Sequence, residues 1–284
     1  MPVSKLVRAE RHWQRARQVS ASALREGALV PLATRLESPR GWEPFVVRRL
    51  LSRPPRHLSE PGPRRNPFLP WDPPLEVALL GEGHVLLLNK YPVQECHLLL
   101  ITREWRPQRG WLEERDWRAV GQLAADTGGL WFFNSDARAG ASQPHRHLQL
   151  LPRREGEASC PLEALIDRQL EEGIRPWPWA YRLSPRQDPL GASDLPRLYA
   201  EHCEALGLGT AAEDPQPRDS YNLLFDDHWF LTVRRVRENC AGFSVNGLGF
   251  AGYLLRTDRG DLEWLVRQGP WALLAEVAAA AETA

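Results

Sequence analysis

From Leu75 onward the chain is a series of short apolar runs separated by tight turns, and that spacing limits the folds open to it. Leu75 to Leu80, the turn Gly81-Glu82-Gly83 and the run His84 to Asn89 have the form of a hairpin. The connection Lys90-Tyr91-Pro92-Val93-Gln94-Glu95 leads into a further apolar strand, Cys96 to Thr102. Trp131-Phe132-Phe133 (ending at Asn134), His145 to Leu151, Tyr221 to Phe225 and His228 to Arg234 read the same way. Helical spacing appears over 112–126, with Trp117, Val120 and Ala124 on one face, and again near 160–172 and 194–206. A first helix is expected over residues 3–28, and a last one from near Pro270, where proline suits a first turn. The segment Gly242 to Arg256 is mixed in pattern. Strands that follow one another through short links, with helices inserted, predict an α+β fold built on a mainly antiparallel sheet.

With 284 residues the chain can bury a sizeable core. Its 25 prolines fall mostly in connections, such as the polar stretch from Ser52 to Pro74, and mark fixed turns. A linker rich in Gly, Pro and acidic residues runs from Gly207 to Asp219. Basic and acidic residues balance at 36 each, so no overall positive field recruits nucleic acid, although a local cluster can still hold a polyphosphate. The four cysteines lie far apart without a C-x-x-C pair, which argues against a zinc ribbon and a disulfide framework. The opening residues lack the apolar core of a signal peptide, and no apolar run approaches the ~20 residues a membrane helix needs. A cytoplasmic protein without membrane or nucleic-acid partners is expected.

Chemistry concentrates in Gly140-Ala141-Ser142-Gln143-Pro144-His145-Arg146-His147-Leu148-Gln149. On a strand, alternation sends His145, His147 and Gln149 to one face and Arg146, Leu148 and Leu150 to the other. A neutral imidazole keeps a lone pair near pH 7, and fixing one ring nitrogen as a donor readies the other to attack phosphorus. The ring of His145 or a backbone carbonyl would provide that contact for His147. The small-residue loop before it offers backbone N–H groups to phosphate oxygens, and such transfer depends mainly on positioning and charge stabilisation. Gln149 can donate to a phosphate oxygen but cannot release a proton to a leaving alkoxide or amine. A pyrophosphate-type leaving group needs no proton, so the pattern favours a transferase. Two histidines one residue apart also occur as structural residues, or as zinc ligands if Cys96, His97 and Cys160 lie close enough.

The run Ala139 to Gln149 resembles the active-site signature of the diadenosine tetraphosphate phosphorylases (ATP adenylyltransferases). This is the Gln-containing transferase branch of the histidine-triad superfamily, alongside galactose-1-phosphate uridylyltransferase. Asn66-Pro67-Phe68-Leu69-Pro70, Leu88-Asn89-Lys90-Tyr91-Pro92-Val93 with His97-Leu98-Leu99-Leu100, Tyr221-Asn222-Leu223-Leu224 and Phe243 to Gly252 resemble further family segments, in family order. Cys96 departs from the pattern, standing where glycine is expected before His97.

The resemblance implies that His147 is the nucleophile that becomes adenylylated, with Gln149 at the transferred phosphate and His145 in support. It places Asn89 and Lys90 by the ribose and phosphates, and Asn134, Gly140, Ala141, Ser142 and Gln143 around the polyphosphate. Asn246, Gly247, Leu248 and Tyr253 would approach from the C-terminal half, and Arg53 would replace a family lysine. Residues 1–155 would form the catalytic region and 156–284 would complete the nucleotide site, as one compact unit. The implied reaction converts diadenosine tetraphosphate and phosphate reversibly to ATP and ADP, in a monomer or small homo-oligomer. Magnesium is expected to accompany the polyphosphate without a dedicated protein site. Uridylyl transfer to a sugar phosphate and a nucleotide-binding module without turnover are the alternatives.

Overall fold

The computed structural model describes residues 8–52, 66–154 and 156–281. Its centre is an eight-stranded sheet assembled from β3 (Glu76–Leu80), β4 (His84–Leu88), β5 (Leu98–Thr102), β6 (Gly129–Asn134), β7 (His147–Pro152), β8 (Tyr181–Pro185), β9 (Ser220–Phe225) and β10 (Trp229–Arg235). The order across the sheet is β3-β4-β5-β7-β6-β9-β10-β8. Every neighbouring pair in it is antiparallel, as the short links required. The sheet runs without a break through the pairing of β6 with β9, so strands before and after residue 155 share it.

The alternation along each strand sorts the core into two faces. Leu86, Leu88, Leu98, Leu100, Leu148, Leu150, Trp131, Phe133 and Leu223 lie on one. Three helices cover it: α1 (Arg11–Arg25), α2 (Glu114–Ala124) and α4 (Leu195–Ala205). On the other face are two apolar groups, Val85, Leu87, Leu99 and Ile101 under Phe68, and Leu130, Phe132, Leu151 and Leu224. The larger of these packs against α5 (Leu262–Val277) and a small sheet of β1 (Thr34–Glu37), β2 (Val46–Leu50) and β13 (Tyr253–Arg256). Helix α3 (Glu163–Glu172) adds Ile166 to the same group. Full burial of an aromatic or aliphatic side chain contributes about 1.5–3 kcal/mol, so this two-sided core dominates stability.

Several expectations needed correction. The first helix begins at Arg11 rather than residue 3, after Glu10 in a left-handed conformation; residues 3–7 lie outside those described. The last helix starts at Leu262; Gly269 breaks it and Pro270 opens its second half, where the missing N–H costs no internal bond. The mixed segment resolves into a short hairpin, β11 (Asn239–Cys240) and β12 (Phe243–Ser244), a tight turn over Gly247–Ala251, and β13. Strand β7 starts at His147, because His145 pairs with Pro107 and Arg146 N–H bonds the Arg106 carbonyl. Among the described residues no helix is long and apolar enough to cross a membrane.

Between the two histidines, Arg146 turns to the helix-covered face. Its guanidinium reaches Asp116 Oδ2 at 3.1 Å, and His84 Nε2 donates to Asp116 Oδ1 at 2.9 Å. Asp116 is fully buried in the first turn of α2, where it also accepts the Glu113 amide at 2.8 Å. Burial pushes its carboxyl up, but the His84 hydrogen bond and the Arg146 charge outweigh that and hold it below the usual range. Removing the carboxylate leaves the buried guanidinium with the Pro107 carbonyl and only the partly exposed Glu113 carboxylate, 3.8 Å away. Asp116→Ala is therefore expected to cost about 3–5 kcal/mol in urea unfolding, and a loss under about 1 kcal/mol would contradict this reading.

Candidate active site

His147 and Gln149 stand on β7 opposite Ile101 and Leu99 of β5, and Gln149 also faces Phe132 of β6. They occupy the seam between the two apolar groups on that face. Phe68 packs 5.5 Å from the rings of both His145 and His147, so the three expected residues do line one side of the chain. The segment that carries Phe68 follows the undescribed residues 53–65, among which Arg53 falls.

The partners fix every proton in the row. His147 Nδ1 lies 2.8 Å from the carbonyl oxygen of His145, which can only accept. Nδ1 therefore carries the hydrogen, and the lone pair is on Nε2. The support from residue 145 thus comes from its carbonyl rather than its ring. The ring of His145 is occupied elsewhere. Phe68 N–H donates to Asn66 Oδ1 at 3.0 Å, which turns the Asn66 amide nitrogen toward His145 Nδ1 at 2.9 Å. His145 Nε2–H then donates to the Thr102 carbonyl at 2.8 Å.

A second chain with the same logic ends on Gln149. Tyr91 N–H donates to Asn89 Oδ1 at 3.1 Å, and Asn89 Nδ2 donates to His97 Nδ1 at 3.0 Å. His97 Nε2–H donates to Gln149 Oε1 at 3.0 Å. With its oxygen engaged, Gln149 presents its amide nitrogen as a donor. Asn89 thus joins the site through His97, a residue the sequence offers only as part of the Cys96 to Thr102 strand or as a zinc ligand. Both nitrogens of His97 are taken, and no group of three or more metal-type ligands occurs among the described residues. The residue before it, Cys96, holds φ 52°, the left-handed conformation that the expected glycine would adopt with less strain.

Gln108, also missed, bridges the two central strands. Its oxygen accepts the His147 amide at 2.8 Å, while its nitrogen donates to the Asn134 carbonyl at 2.6 Å. The side chain of Asn134 organises a further cluster. Its Oδ1 accepts from Asn222 Nδ2 and from the Gly247 amide, each at 2.8 Å. Gly140 sits against Asn246 with φ 88°; a Cβ there would lie 2.7 Å from Asn246 Cα, so only glycine lets the loops meet. Asn246 caps its own turn by accepting from the Leu248 amide at 3.0 Å. The expected supply of loop N–H groups is smaller than the sequence implied. Gly140 N–H goes to Ala137 and Ala141 N–H to Asp136, leaving the amides of Ser142 and Gln143 without an acceptor among the described residues.

Two further expected residues have partners of their own. Lys90 Nζ lies 3.2 Å from Asp72 Oδ2 with both side chains partly exposed. Tyr253 OH accepts from Arg153 at 3.1 Å at the far end of β7, and among the described residues no hydrogen bond ties it to the His147 row.

Burial depresses the two histidines that complete the row. His147 falls to about 4, chiefly through desolvation, which the hydrogen bond to His145 only partly offsets. Desolvation takes His97 to about 4 as well, against the hydrogen bond to Gln149. Burial also lowers the ring of His145. All three are neutral at pH 7. Because the folded values lie below the unfolded one, the unfolded chain binds protons first as pH falls. The stability from the neutral rings is complete above pH 6.5 and is lost as pH falls toward about 4. Urea midpoints should fall across that window, with a shallower slope for His147→Gln. Identical slopes in the two proteins would contradict the assignment.

Comparison with known proteins gives a consistent picture. The sequence matches the family model for the Ap4A phosphorylase N-terminal domain over residues 3–168. It matches the ATP adenylyltransferase C-terminal domain over 175–280. Diadenosine 5',5'''-P1,P4-tetraphosphate phosphorylase 2 of Saccharomyces cerevisiae is 25% identical, with 78% of each chain covered. The crystal structure of yeast Ap4A phosphorylase Apa2 shares the fold at a TM-score of 0.75 and 22% identity, covering 98% of this chain and 100% of that one. The Apa2 complex with Ap4A gives a TM-score of 0.71 at 21% identity and 98% and 100% coverage.

Proposed function

The chain belongs to the Ap4A phosphorylase and ATP adenylyltransferase family, and from that premise we propose that it phosphorolyses diadenosine tetraphosphate through an adenylyl group carried on His147. The observation that carries this reading is the His147 Nδ1–H bond to the His145 carbonyl, which leaves Nε2 as a buried, neutral nucleophile. Nε2 attacks the α-phosphorus of one adenosine end, forming a P–N bond as the P–O bond to the remaining three phosphates breaks. ATP leaves as a fully ionised polyphosphate and needs no proton, which suits an amide at position 149. Inorganic phosphate then attacks the same phosphorus, the P–N bond breaks, and ADP departs with His147 restored. The stored P–N bond keeps the sequence reversible.

Gln149 donates its amide hydrogens to a non-bridging oxygen as charge develops there, its orientation set by Asn89 and His97. The amides of Ser142 and Gln143 and the Asn134 cluster face the polyphosphate. Asn246, Gly247 and Leu248 close that cradle from the C-terminal region (156–284), while residues 1–155 carry the nucleophile. Magnesium enters on phosphate oxygens and water rather than in a protein cage. The substrates are free nucleotides of the cytoplasm.

Labelled inorganic phosphate tests this reading. With diadenosine tetraphosphate, all label should enter ADP and none ATP; when phosphate is withheld, no ADP should form and ATP release should stop at one equivalent per protein. His147→Ala should lower the rate at least about a thousandfold. Turnover only with a sugar phosphate as acceptor would point to uridylyl-type transfer instead. Tight nucleotide binding with no turnover under any acceptor would make the protein a binding module.

A further inference from the structure

Arg235, the last residue of β10, is 2% exposed, and among the described residues no carboxylate pairs with it. Its guanidinium is held by oxygens that carry only partial charge. Nε donates to the Val277 carbonyl at 3.0 Å, and the second terminal nitrogen to the carbonyls of Arg237 at 2.8 Å and Val245 at 2.9 Å. The first terminal nitrogen reaches the side-chain oxygen of Asn222 and, at 3.4 Å, the Ala139 carbonyl. Val277 closes a helix and so offers at most about half an elementary charge. The ring of Phe250 lies 5.3 Å away, and Asp136 and Glu238 act only at longer range. Burial brings the guanidinium down to about 10, so it is charged at neutral pH. A buried cation with no full counter-charge is strongly unfavourable unless something else supplies one.

Its partners identify what that is. Ala139 immediately precedes Gly140, and Val245 immediately precedes Asn246. Asn222, fixed by Arg235, donates to both Asn134 Oδ1 and the Ala139 carbonyl at 2.8 Å. One guanidinium thus holds the roots of both loops that meet over Asn134, through the Ala139 and Val245 carbonyls and Asn222. We propose that Arg235 is a positioning residue for the polyphosphate: it clamps the two loops from behind, and the ligand's phosphates provide its missing counter-charge. This rests on the nucleotide reading above, and assigns the discrimination of phosphate-chain length to a residue that does not touch the phosphates.

Calorimetric affinities for AMP and ATP decide the matter, measured on the wild type, Arg235→Lys and Arg235→Gln. The wild type should prefer ATP. Arg235→Gln should lower the ATP-to-AMP affinity ratio about tenfold, and Arg235→Lys, which keeps the charge, should stay within about threefold. Both variants lose clamp contacts and should melt at lower temperature, so a purely structural role would weaken both nucleotides together and leave the ratio alone. An unchanged ratio in Arg235→Gln, or one that collapses in Arg235→Lys, overturns the proposal. Should Arg235→Gln not fold, the wild type answers instead. The Arg235 Nε resonance should move when inorganic tripolyphosphate is added, and a resonance that stays put overturns the proposal. A wild type that binds neither nucleotide overturns the nucleotide reading itself, and this inference with it.

Discussion

A single 2.8 Å hydrogen bond, from His147 Nδ1 to the carbonyl two residues earlier, decides whether β7 carries a nucleophile or an ordinary buried histidine. The carbonyl can only accept, so the tautomer is fixed without any acidic partner. That matters for the proposed reaction, because a carboxylate beside the imidazole would repel a polyphosphate substrate. The bond requires His145 to hold its backbone out of the main ladder. Three contacts keep it there: the bridge to Pro107, the Asn66 amide and the Thr102 carbonyl. Arg146, on the other side of the chain, fastens the same two residues to α2 through Asp116.

The site uses neutral groups to set neutral groups. Asn66 fixes His145, and Asn89 fixes His97, which in turn fixes Gln149. In both cases a backbone N–H two residues on from the asparagine settles which way its amide points. Full charge near the row is kept at a distance, in Arg235 behind the loops and Arg146 behind the strand. Water exclusion by Phe68 and the apolar groups beside it strengthens each of these hydrogen bonds and keeps the imidazoles unprotonated at neutral pH.

Much of this was legible in the sequence because its periodicities were clean. Strands β4 and β5 are buried on both faces and read as nearly continuous apolar runs, and the two-residue period of β7 placed His147 and Gln149 on one face. Strand β2 was not legible: Val46-Val47-Arg48-Arg49-Leu50 is only partly buried, and its arginines hide the alternation. The edge strand β8 failed for a similar reason, being mostly half-exposed with a proline at its end. Within the site, what escaped were partners distant along the chain. Gln149 meets His97 across 52 positions, His147 meets Gln108 across 39, and Asn222 meets Asn134 across 88. No local pattern in one sequence encodes those pairings; the strand order does.

The most direct measurement is the intact mass of the protein after brief exposure to diadenosine tetraphosphate without phosphate, followed by peptide mapping. An adenylyl adduct on His147 that is released as ADP when phosphate is added is the expected result. Product formation with no trapped adduct, or an adduct mapped to His145 or His97, would contradict the assignment of Nε2 of His147 as the nucleophile.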